Sequence, residues 1–440
     1  MRLSPDTIDR LPKGVALFGY DRATQATGVV HFGIGAFHRA HQAWYTDLCM
    51  DGGERDWMIA GVSLRSGAVA EQLNPQDGLY TLTERSGGEA ATRVIGAVRE
   101  VLVAARDREA IVTRIAAPEC RIVSFAVTEK GYARSASGAL DLTLAEASLY
   151  PLLSEGLARR KAAGLPGVTL LSCDNLADNG RQLERLTGEY LAARRPELAG
   201  WFAAECTCPG TMVDRIVPTT IEADLAGLQR RFGLRDEGAV FTERFSQWVI
   251  EDRFAGPRPH WEKHGAQLVV DVAPYETAKL RMLNGAHSAL AYLGLECGHT
   301  FVHEAIADPD LRPLVERLMR QEAATSFAPA PGQDLDAYAD ALLARFADPA
   351  LNHRLTQIAM DGSQKIPQRW LETLAWHQAR GMRCPSLEAA IAAWIAFLRS
   401  DHPVDDPLAD KLREAAAGPD AMVRLFGDDG LIASDWRPEA

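Results

Sequence analysis

The sequence predicts an α/β fold in which a mostly parallel sheet is followed by a mainly α-helical region. Strand-like and helix-like segments alternate from residue 28 to residue 272, which is typical of parallel strands joined by helices. Several strand-like segments are almost entirely apolar, as expected for a sheet that helices cover on both faces. Beyond residue 273 only helical periodicity remains. We therefore expect an α/β domain at 1–273 and a helical domain at 274–440.

Length and composition restrict the classes of function. The chain has 440 residues, which is enough for two domains. Its net charge of -12 argues against nucleic acid and anionic membranes as partners, although a local cation is enough to bind an anionic substrate. The N-terminus lacks the apolar core of a signal peptide, and seven scattered cysteines without metal-site spacing suggest reduced thiols. We expect a cytoplasmic monomer or small homo-oligomer without a metal site.

The segment 28–64 reads as strand, glycine turn, helix and strand. This is the βαβ arrangement of a Rossmann-type dinucleotide-binding domain. Gly33 permits the tight turn, and Gly35 lets the backbone approach a pyrophosphate at the start of a helix that begins at Phe37. His38 occupies the position of the third glycine of the usual fingerprint. A strand-to-helix turn of the kind found in any α/β protein is the alternative interpretation, and it stays open.

Two further segments at strand ends are candidates for binding the cofactor. The second strand ends without the acidic residue that usually binds the adenosine ribose of NAD, and Arg65 follows it instead. Arg65 suits the 2′-phosphate of NADP, or it is an ordinary surface arginine, so the residues leave the choice of cofactor open. Thr128 and Glu129 follow a strongly apolar strand, at the edge where open α/β sheets place ligands.

Polar residues also follow two later strands. The strand at 167–172 ends in the amides and acids of CDNLADNG. Asn175 in this cluster can donate an amide hydrogen bond to a ligand, or the cluster serves only as a turn and a helix cap. Asp214 and Arg215 lie in an apolar segment, where a structural ion pair is the alternative to a functional role.

The clearest amphipathic helix spans residues 274–292 and would be the first of the second domain. At about 100° per residue, Glu276, Lys279, Asn284 and His287 fall within an arc of roughly 140°. An acid, an amine, an amide and an imidazole therefore share one face of a largely apolar helix. A solvated face is the alternative. The helix begins at the domain boundary, so we expect this face beside a cleft between domains, a usual place for small-molecule sites.

These residues suit the oxidation of an alcohol without a metal. Lys279 takes the hydroxyl proton if burial lowers its pKa from ~10.4 toward neutrality. Asn284, together with Asn175 from the other domain, can donate hydrogen bonds to the developing oxyanion. His287 can bind a substrate hydroxyl. Glu276 can relay the proton to solvent, but it also tends to raise the pKa of the lysine, so its net effect stays open.

At these residues the sequence resembles the mannitol dehydrogenase family of polyol-specific long-chain dehydrogenases. The resemblance extends over nearly the full length and includes the pattern Lys279-x4-Asn284-x2-His287. The amino-acid sequence of residues 279–294 is most similar to that of the fructuronate reductase (D-mannonate oxidoreductase) branch of the family. The other matching blocks are HFGIGAFHRAHQA (31–43), VTEKGY (127–132), SCDN (172–175), TMVDRIVP (211–218), QWVIED (247–252) and DGSQKIPQR (361–369).

The resemblance implies a metal-independent, NAD-dependent enzyme with a Rossmann-type domain and a helical C-terminal domain. It implies that Lys279 is the catalytic acid and base and that Glu276 relays the proton. It also implies that Asn175 and Asn284 bind the oxyanion. It adds Asp214 and His287 as substrate contacts, and Lys365 and Arg369 as a basic block near the substrate. The departure lies around Arg65, where members that prefer NAD often have an acidic residue, so NADP remains an alternative.

The expected reaction interconverts D-mannonate and D-fructuronate, and the interconversion of D-mannitol and D-fructose is the alternative. Charge separates the two, because a carboxylate is best bound by a bidentate cation. Lys365 and Arg369 flank Pro367, which reads as the first residue of a helix, so they form either an anion site or a surface helix start.

Two other classes of protein are alternatives to this family. A nucleotide-binding protein without catalysis is a remote alternative, since no catalytic group is missing. The β-hydroxyacid dehydrogenases also use lysine and asparagine on an interdomain helix. Their spacing is one turn, whereas five residues separate the pair here, which argues against that class.

Overall fold

The computed structural model describes residues 1–135 and 137–438, and the chain divides into two compact units. The first unit comprises Met1–Arg85 and Glu89–Val272, and the second comprises Ser86–Gly88 and Ala273–Ala440. Within the first unit, neighbouring residues of the central strand belong to different cores, Val29 to one and Val30 to another. Apolar residues are therefore buried on both faces of its main sheet.

All named strands belong to the first unit, apart from the last residue of the fourth strand. They are β1 (Val15–Ala16), β2 (Thr27–Phe32), β3 (Met58–Ser63), β4 (Tyr80–Ser86), β5 (Glu89–Ile95), β6 (Val98–Val103), β7 (Ile122–Phe125), β8 (Thr169–Ser172), β9 (Thr211–Asp214), β10 (Val240–Glu243), β11 (Gln247–Glu251) and β12 (Gln267–Val269).

The main sheet has the strand order β6-β3-β2-β7-β8, and every neighbouring pair in it is parallel. Because the strands run in one direction, the segments that begin at Gly33, Ala126 and Cys173 leave the sheet at the same edge. This is the edge at which open α/β sheets bind ligands. The sheet and the helical second unit confirm the predicted fold class.

Two smaller sheets complete the first unit. One has the order β1-β5-β4-β10, with β1 parallel to β5 and β10 parallel to β4. The other has the order β12-β11-β9, with β11 antiparallel to β9 and parallel to β12. The segment 89–103 forms two strands, β5 and β6, which lie in different sheets. Arg99 and Glu100 interrupt the apolar pattern of β6, which hides it in the sequence.

The helices of the first unit cover the sheets. The helix predicted to begin at Phe37 is interrupted at His41, which has φ -120° and ψ -96°. The ring of His41 packs edge-on against Trp248, and its Nε2 lies 3.2 Å from Gln247 O. The helices are α1 (Ala36–Ala40), α2 (Gln42–Asp51), α3 (Ala68–Leu73), α4 (Arg108–Ala116), α5 (Thr128–Gly131), α6 (Leu142–Glu146), α7 (Tyr150–Ala162), α8 (Asn179–Arg194), α9 (Pro196–Glu205) and α10 (Glu222–Phe232).

The second unit is helical, and three of its helices contain π segments, in which hydrogen bonds join residues five apart. The π segments are Lys279–Asn284, Leu318–Ala323 and Pro367–Leu371. Among the described residues, no helix combines the length and the apolar composition needed to cross a membrane. The α-helices are α11 (Ala273–Ala278), α12 (Gly285–Glu296), α13 (Val302–Ala307), α14 (Leu311–Arg317), α15 (Leu335–Phe346), α16 (Leu355–Ile358), α17 (Gly362–Ile366), α18 (Glu372–Gln378), α19 (Pro385–Arg399), α20 (Ala409–Ala416) and α21 (Ala421–Phe426).

Candidate active site

The glycine turn after β2 forms the first part of the candidate site. Gly33 has a φ of +95°, which glycine adopts at little cost, and its N–H donates to Val62 O at 2.8 Å. A Cβ at Gly33 would lie 2.1 Å from Ala126 O, so a larger residue would displace the segment after β7. Gly35 is the exposed N-cap of α1. The turn therefore presents open backbone at a helix start, which fits a dinucleotide pyrophosphate.

His38, at the position of the third glycine, lies behind this turn. It is 1% exposed, and its ring stacks on His31 with 3.4 Å between ring centroids. Burial lowers the pKa of His38 well below its ordinary value and the pKa of His31 to about 3, so both rings are neutral. His31 Nε2 lies 3.2 Å from Gly33 O and donates to it, because a carbonyl oxygen can only accept. The stacked histidine pair is therefore joined to the glycine turn by the hydrogen bond from His31 to Gly33 O.

Phe37 and Arg65 occupy more open positions at the same edge of the sheet. Phe37 is partly exposed in α1, and its ring stacks on that of His41 at 5.0 Å between centroids. Arg65 is exposed, two residues beyond β3. The hydroxyl of Ser63 donates to Ser66 O at 2.6 Å and closes the turn around Arg65.

The turn after β7 carries the two other predicted cofactor contacts, Thr128 and Glu129, and both are exposed. Thr128 has a φ of +62°, a left-handed conformation that is rare for a β-branched residue. This backbone costs about 1–2 kcal/mol, so it persists only where neighbouring groups hold it. The Asp174 carboxylate does so here, because it accepts hydrogen bonds from the N–H groups of Val127 at 3.0 Å and Thr128 at 2.7 Å.

The two asparagines that follow β8 have different environments. Asn175 is exposed, directly after the buried Asp174. Asn179 is fully buried, and its Nδ2 donates to Thr211 O at 2.8 Å and to Asp174 O at 3.0 Å. Asn179 is therefore a structural bridge between β8 and β9, and Asn175 is the exposed asparagine of this cluster.

Asp214 is the last residue of β9 and is partly exposed. Its neighbour Arg215 is buried and forms an ion pair with Glu84. The guanidinium of Arg215 also lies 4.7 Å from the ring centroid of Trp44. Arg215 is therefore held by Glu84 and Trp44 within the first unit.

In the second unit, the predicted helix at 274–292 continues through a π segment. Helix α11 leads into Lys279–Asn284, and the N–H of Gly285 donates to Leu280 O, five residues earlier. Lys279 is the first residue of the π segment and is 8% exposed, and Asn284 is the last and is partly exposed. Five residues therefore correspond to one hydrogen-bonded π turn, and the arc of roughly 140° expected for an α-helix does not apply.

Arg281 lies in the middle of the π turn and binds it to two neighbouring segments. Its Nη1 donates to Ser326 O at 3.0 Å and to Ser326 Oγ at 2.9 Å. Its Nη2 donates to Glu372 Oε2 at 2.8 Å. The guanidinium thus connects the turn between Lys279 and Asn284 with the segments that follow the two other π turns.

Arg369 and Trp370 bind the carbonyl groups at the end of the same turn. Arg369 Nη1 donates to Asn284 O at 3.3 Å and to Ser288 Oγ at 2.8 Å. Trp370 Nε1 donates to Gly285 O at 3.0 Å. Burial lowers the pKa of Arg369 to about 10. These donors hold the backbone that carries Asn284.

Lys365 and Pro367 belong to the helix that supplies these donors. Lys365 Nζ donates to Met360 O at 2.5 Å and to Ile358 O at 3.4 Å. Burial and then the charge of Arg369 lower the pKa of Lys365. The helix already begins at Gly362, so Pro367 does not start it as the sequence suggested. Pro367, which has no N–H to donate, is instead the first residue of the π segment.

His287 lies one turn beyond the π segment, among aromatic and cationic side chains. Its ring centroid is 4.6 Å from that of Phe346 and 5.5 Å from that of His353. Burial, followed by the charges of Arg345, His353 and Arg369, lowers the pKa of His287 well below its ordinary value. The imidazole is therefore neutral, with one nitrogen able to donate and the other able to accept.

Two residues of the site escaped the sequence reasoning. Asp174 was visible only as part of a turn cluster, and nothing in the sequence pairs it with Thr128. Arg281 had a signal, because it is a charged residue inside the largely apolar KLRMLN segment. Within the described residues, no group of three or more His, Cys, Asp and Glu side chains has the arrangement of a metal site.

Comparison with known proteins decides the family. The Mannitol dehydrogenase Rossmann domain family matches residues 27–263, and the Mannitol dehydrogenase C-terminal domain family matches residues 271–425. The chain belongs to the mannitol dehydrogenase family. It is accordingly an oxidoreductase, and the resemblance seen in the sequence is confirmed.

Relatives in the mannitol dehydrogenase family align over almost the whole chain. The D-mannonate oxidoreductase of Escherichia coli is 39% identical over 96% of this chain and 92% of its own length. A mannitol 2-dehydrogenase of Pyrenophora tritici-repentis is 38% identical over 98% of this chain and 81% of its own length. The mannitol 2-dehydrogenase of Pseudomonas fluorescens, solved as a ternary complex with NAD and D-mannitol, has a TM-score of 0.81 and 34% identity. That alignment covers 99% of this chain and 93% of the solved chain.

Proposed function

We propose that this protein interconverts D-mannonate and D-fructuronate by hydride transfer with a nicotinamide dinucleotide, using Lys279 as acid and base. The observation that carries the chemistry is the π turn of the second unit. A largely buried lysine begins that turn, and an amide ends it. Burial disfavours a charged ammonium, which is the condition under which a lysine accepts a proton near neutral pH.

The remaining polar groups have proposed roles around the reacting carbon. Asn284 and Asn175 each donate an amide hydrogen bond to the developing oxyanion. Glu276, in α11 one turn before the lysine, relays the proton to solvent. His287 and Asp214 bind substrate hydroxyl groups, and the neutral state of the imidazole supports its part in this assignment.

The dinucleotide is proposed to bind at the carboxyl edge of the main sheet. Gly33 and Gly35 receive its pyrophosphate, and the neighbouring Phe37 and His38 shape the turn. Thr128 and Glu129 flank the same edge, and Arg65 reaches the adenosine ribose. When bound, the dinucleotide supplies the acceptor for the hydride. We expect NAD, as in the ternary complex of the Pseudomonas fluorescens relative, with NADP accepted if Arg65 binds a 2′-phosphate.

Charge supports a sugar acid over a neutral polyol. After burial, the largest effects on the pKa of His287 include the positive charges of Arg345 and Arg369, both of which lower it. Lys365 adds a further cation beside Arg369. These cations attract a substrate carboxylate, whereas a neutral polyol carries no charge for them to attract. The identity of 39% with a D-mannonate oxidoreductase agrees with this choice.

The test is a direct comparison of substrates and cofactors. The purified protein is assayed for oxidation of D-mannonate and D-mannitol, each with NAD and with NADP. We expect the highest kcat/KM for D-mannonate with NAD. Replacing Arg369 by Met should raise the KM for D-mannonate more than that for D-mannitol, because only the first carries a charge. Turnover of D-mannitol without turnover of D-mannonate would contradict the proposal.

The second candidate is a mannitol 2-dehydrogenase that interconverts D-mannitol and D-fructose. Its support is the mannitol 2-dehydrogenase of Pyrenophora tritici-repentis, at 38% identity, and the solved Pseudomonas fluorescens enzyme with D-mannitol bound. Under this candidate, substitution of Arg369 affects the two substrates equally, so the same assay separates the two functions.

A further inference from the structure

We propose that Asp174 is a positioning residue, whose carboxylate holds the dinucleotide edge of the sheet and Asn175 in one geometry. This inference rests on the proposed binding of a nicotinamide dinucleotide at that edge, but not on the identity of the sugar substrate. Asp174 lies directly before Asn175, is 8% exposed, and faces the turn after the neighbouring strand β7.

The carboxylate accepts three hydrogen bonds from one segment. Oδ2 accepts from the N–H of Val127 at 3.0 Å, and Oδ1 accepts from the N–H of Thr128 at 2.7 Å. The hydroxyl of Tyr132 donates to Oδ2 at 2.8 Å. A single side chain after β8 therefore fixes both the beginning and the end of the turn after β7.

The segment that Asp174 binds, from Val127 to Ala133, contains two residues with unfavourable backbone conformations. Most residues with positive φ in the described chain, glycines aside, are aspartate or asparagine, which adopt this conformation most readily. The two exceptions, Thr128 and Ala133, lie at the two ends of this segment, at φ +62° and +51°. Strain confined to one segment beside a ligand-binding edge indicates a geometry that is maintained for function.

Asp174 also acts on the glycine turn, through Ala126. A Cβ at Gly33 would lie 2.1 Å from Ala126 O, so the two backbones are packed against each other. Ala126 directly precedes the two N–H groups that Asp174 binds. If the carboxylate released them, the peptide that lies against Gly33 would be free to move, and the pyrophosphate turn would lose its support.

The same residue fixes the backbone that carries Asn175. The carbonyl of Asp174 accepts from Asn179 Nδ2 at 3.0 Å, and the N–H of Cys173 donates to Phe125 O at 2.7 Å. The main chain is therefore bound on the N-terminal side of Asn175, and the Asp174 side chain links it to the Thr128 turn. One carboxylate thus connects a proposed amide donor with the proposed cofactor contacts.

A buried carboxylate with several donors also occurs far from this edge, which provides a matched control. Asp47 accepts from the hydroxyl of Tyr20 at 2.6 Å, from the N–H of Gly96 at 2.8 Å and from Arg93 Nε at 2.8 Å. Gly96 precedes β6, so Asp47 lies toward the amino-terminal edge of the sheet. Asp47→Asn measures the loss of a buried carboxylate as such, without disturbing the dinucleotide edge.

The experiment compares Asp174→Asn with Asp47→Asn in the full chain, below the melting temperature of each variant. NADH affinity is measured by fluorescence, and kcat is measured with the substrate that the wild-type protein oxidises fastest. We expect Asp174→Asn to raise the Kd for NADH about tenfold and to lower kcat about tenfold, because the amide turns a donor toward N–H groups. Asp47→Asn should lower the melting temperature and change both quantities less than about twofold. Equal effects on Kd and kcat for the two variants would overturn the proposal.

Thr128→Gly tests the mechanism, because glycine adopts the left-handed conformation without the carboxylate. The cost of Asp174→Asn in Kd should therefore be several times smaller in a Thr128→Gly background than in the wild type. An undiminished cost contradicts the proposal. If Asp174→Asn does not fold, Tyr132→Phe and Tyr20→Phe replace the two variants, since each removes one hydroxyl donor from its carboxylate. A rise in Kd confined to Tyr132→Phe supports the positioning role, and unchanged Kd in both excludes it.

Discussion

The Thr128 turn of the first unit and the π turn at Lys279–Asn284 of the second unit both hold costly backbone beside residues proposed to react or to bind. They are held by opposite charges. The Thr128 turn presents N–H groups, and the Asp174 carboxylate accepts hydrogen bonds from them. The π turn is fixed by Arg281, which donates to the carbonyl and hydroxyl of Ser326.

The difference follows from the backbone groups that each side chain binds. In the turn after β7 the N–H groups of Val127 and Thr128 have the carboxylate as their acceptor, whereas the last residues of a helix expose carbonyl acceptors. Ser326 ends a short 3-10 helix, so its carbonyl needs a donor, and an arginine provides several in a fixed arrangement. Asp174 therefore holds the Thr128 turn by accepting from the N–H groups of that turn, whereas Arg281 holds its own π turn by donating to the carbonyl of a neighbouring 3-10 helix.

The largest expected effect is a loss of kcat in Lys279→Ala. Because the Kd for NADH should hardly change, this variant separates catalysis by the second unit from cofactor binding by the first. Lys279→Ala should lower kcat by about 10³-fold or more, because the acid and base of the reaction is lost. The Kd for NADH, measured by fluorescence, should change less than about twofold, since the residues proposed to bind the dinucleotide belong to the other unit. A near-normal rate in this variant would remove the proposed role of the lysine.

The two asparagines test whether the units contribute equally to the oxyanion. Asn175→Ala and Asn284→Ala should each lower kcat by roughly 10²-fold, as removal of one donor does in other oxyanion sites. Asn179→Ala is the control, because its buried amide bridges β8 and β9 and its loss should lower the melting temperature more than kcat. If kcat fell in only one of the Asn175→Ala and Asn284→Ala variants, only the unit that carries that residue would stabilise the oxyanion.

Arg281→Met tests the counterpart of Asp174 in the second unit. Methionine keeps much of the side-chain length but makes none of the three hydrogen bonds, so the π turn is less constrained and kcat should fall about tenfold. The Kd for NADH should not change, in contrast to Asp174→Asn. Arg320→Met provides the control, because Arg320 lies in another π segment and pairs with Asp336 and Asp340. An equal loss of kcat in both variants would show that any π-segment arginine has this effect.

The smallest effect is a dependence of stability on pH that both units share. Burial lowers the pKa values of His31 and His38 in the first unit and of His287 and His353 in the second. Below about pH 6.5 the unfolded chain binds protons that these folded histidines do not, so stability is lost as the pH falls. Each contributes at most about 1.4 kcal/mol per pH unit in that range.

Urea unfolding at pH 7.5, 6.5 and 5.5 measures this dependence. The free energy of unfolding should be constant above pH 7 and should decrease at the two lower values. His38→Gln should make the decrease less steep, because one neutral buried imidazole is removed. Stability that rises on acidification would contradict the assigned charge states.

The sequence predicted the fold class and the family, and both are confirmed, because periodicity and local motifs determine them. The glycine turn was visible for the same reason, since a strand, Gly33, Gly35 and a helix are neighbours in the chain. The role of Asp174 was not visible, because it binds N–H groups 46 and 47 residues away in the sequence, and only the pairing of β7 with β8 brings them together.

The shape of the segment that carries Lys279 and Asn284 was also beyond the sequence. An α-helix and a π turn differ by a single residue per turn, and the apolar pattern of KLRMLN fits either. The argument from spacing against the β-hydroxyacid dehydrogenases fails for that reason, because five residues here make one π turn. The family comparison, and not the spacing, decides that question.

The π turn also limits how this part of the chain can evolve. It can become an ordinary α-helix only by losing a residue, and that loss would rotate everything before it by about 100° relative to everything after it. Substitutions leave this rotation unchanged, but any change of length between Lys279 and Asn284 would alter the direction of one side chain relative to the other. The number of residues between Lys279 and Asn284 is therefore constrained in the same way as the identities of the two residues.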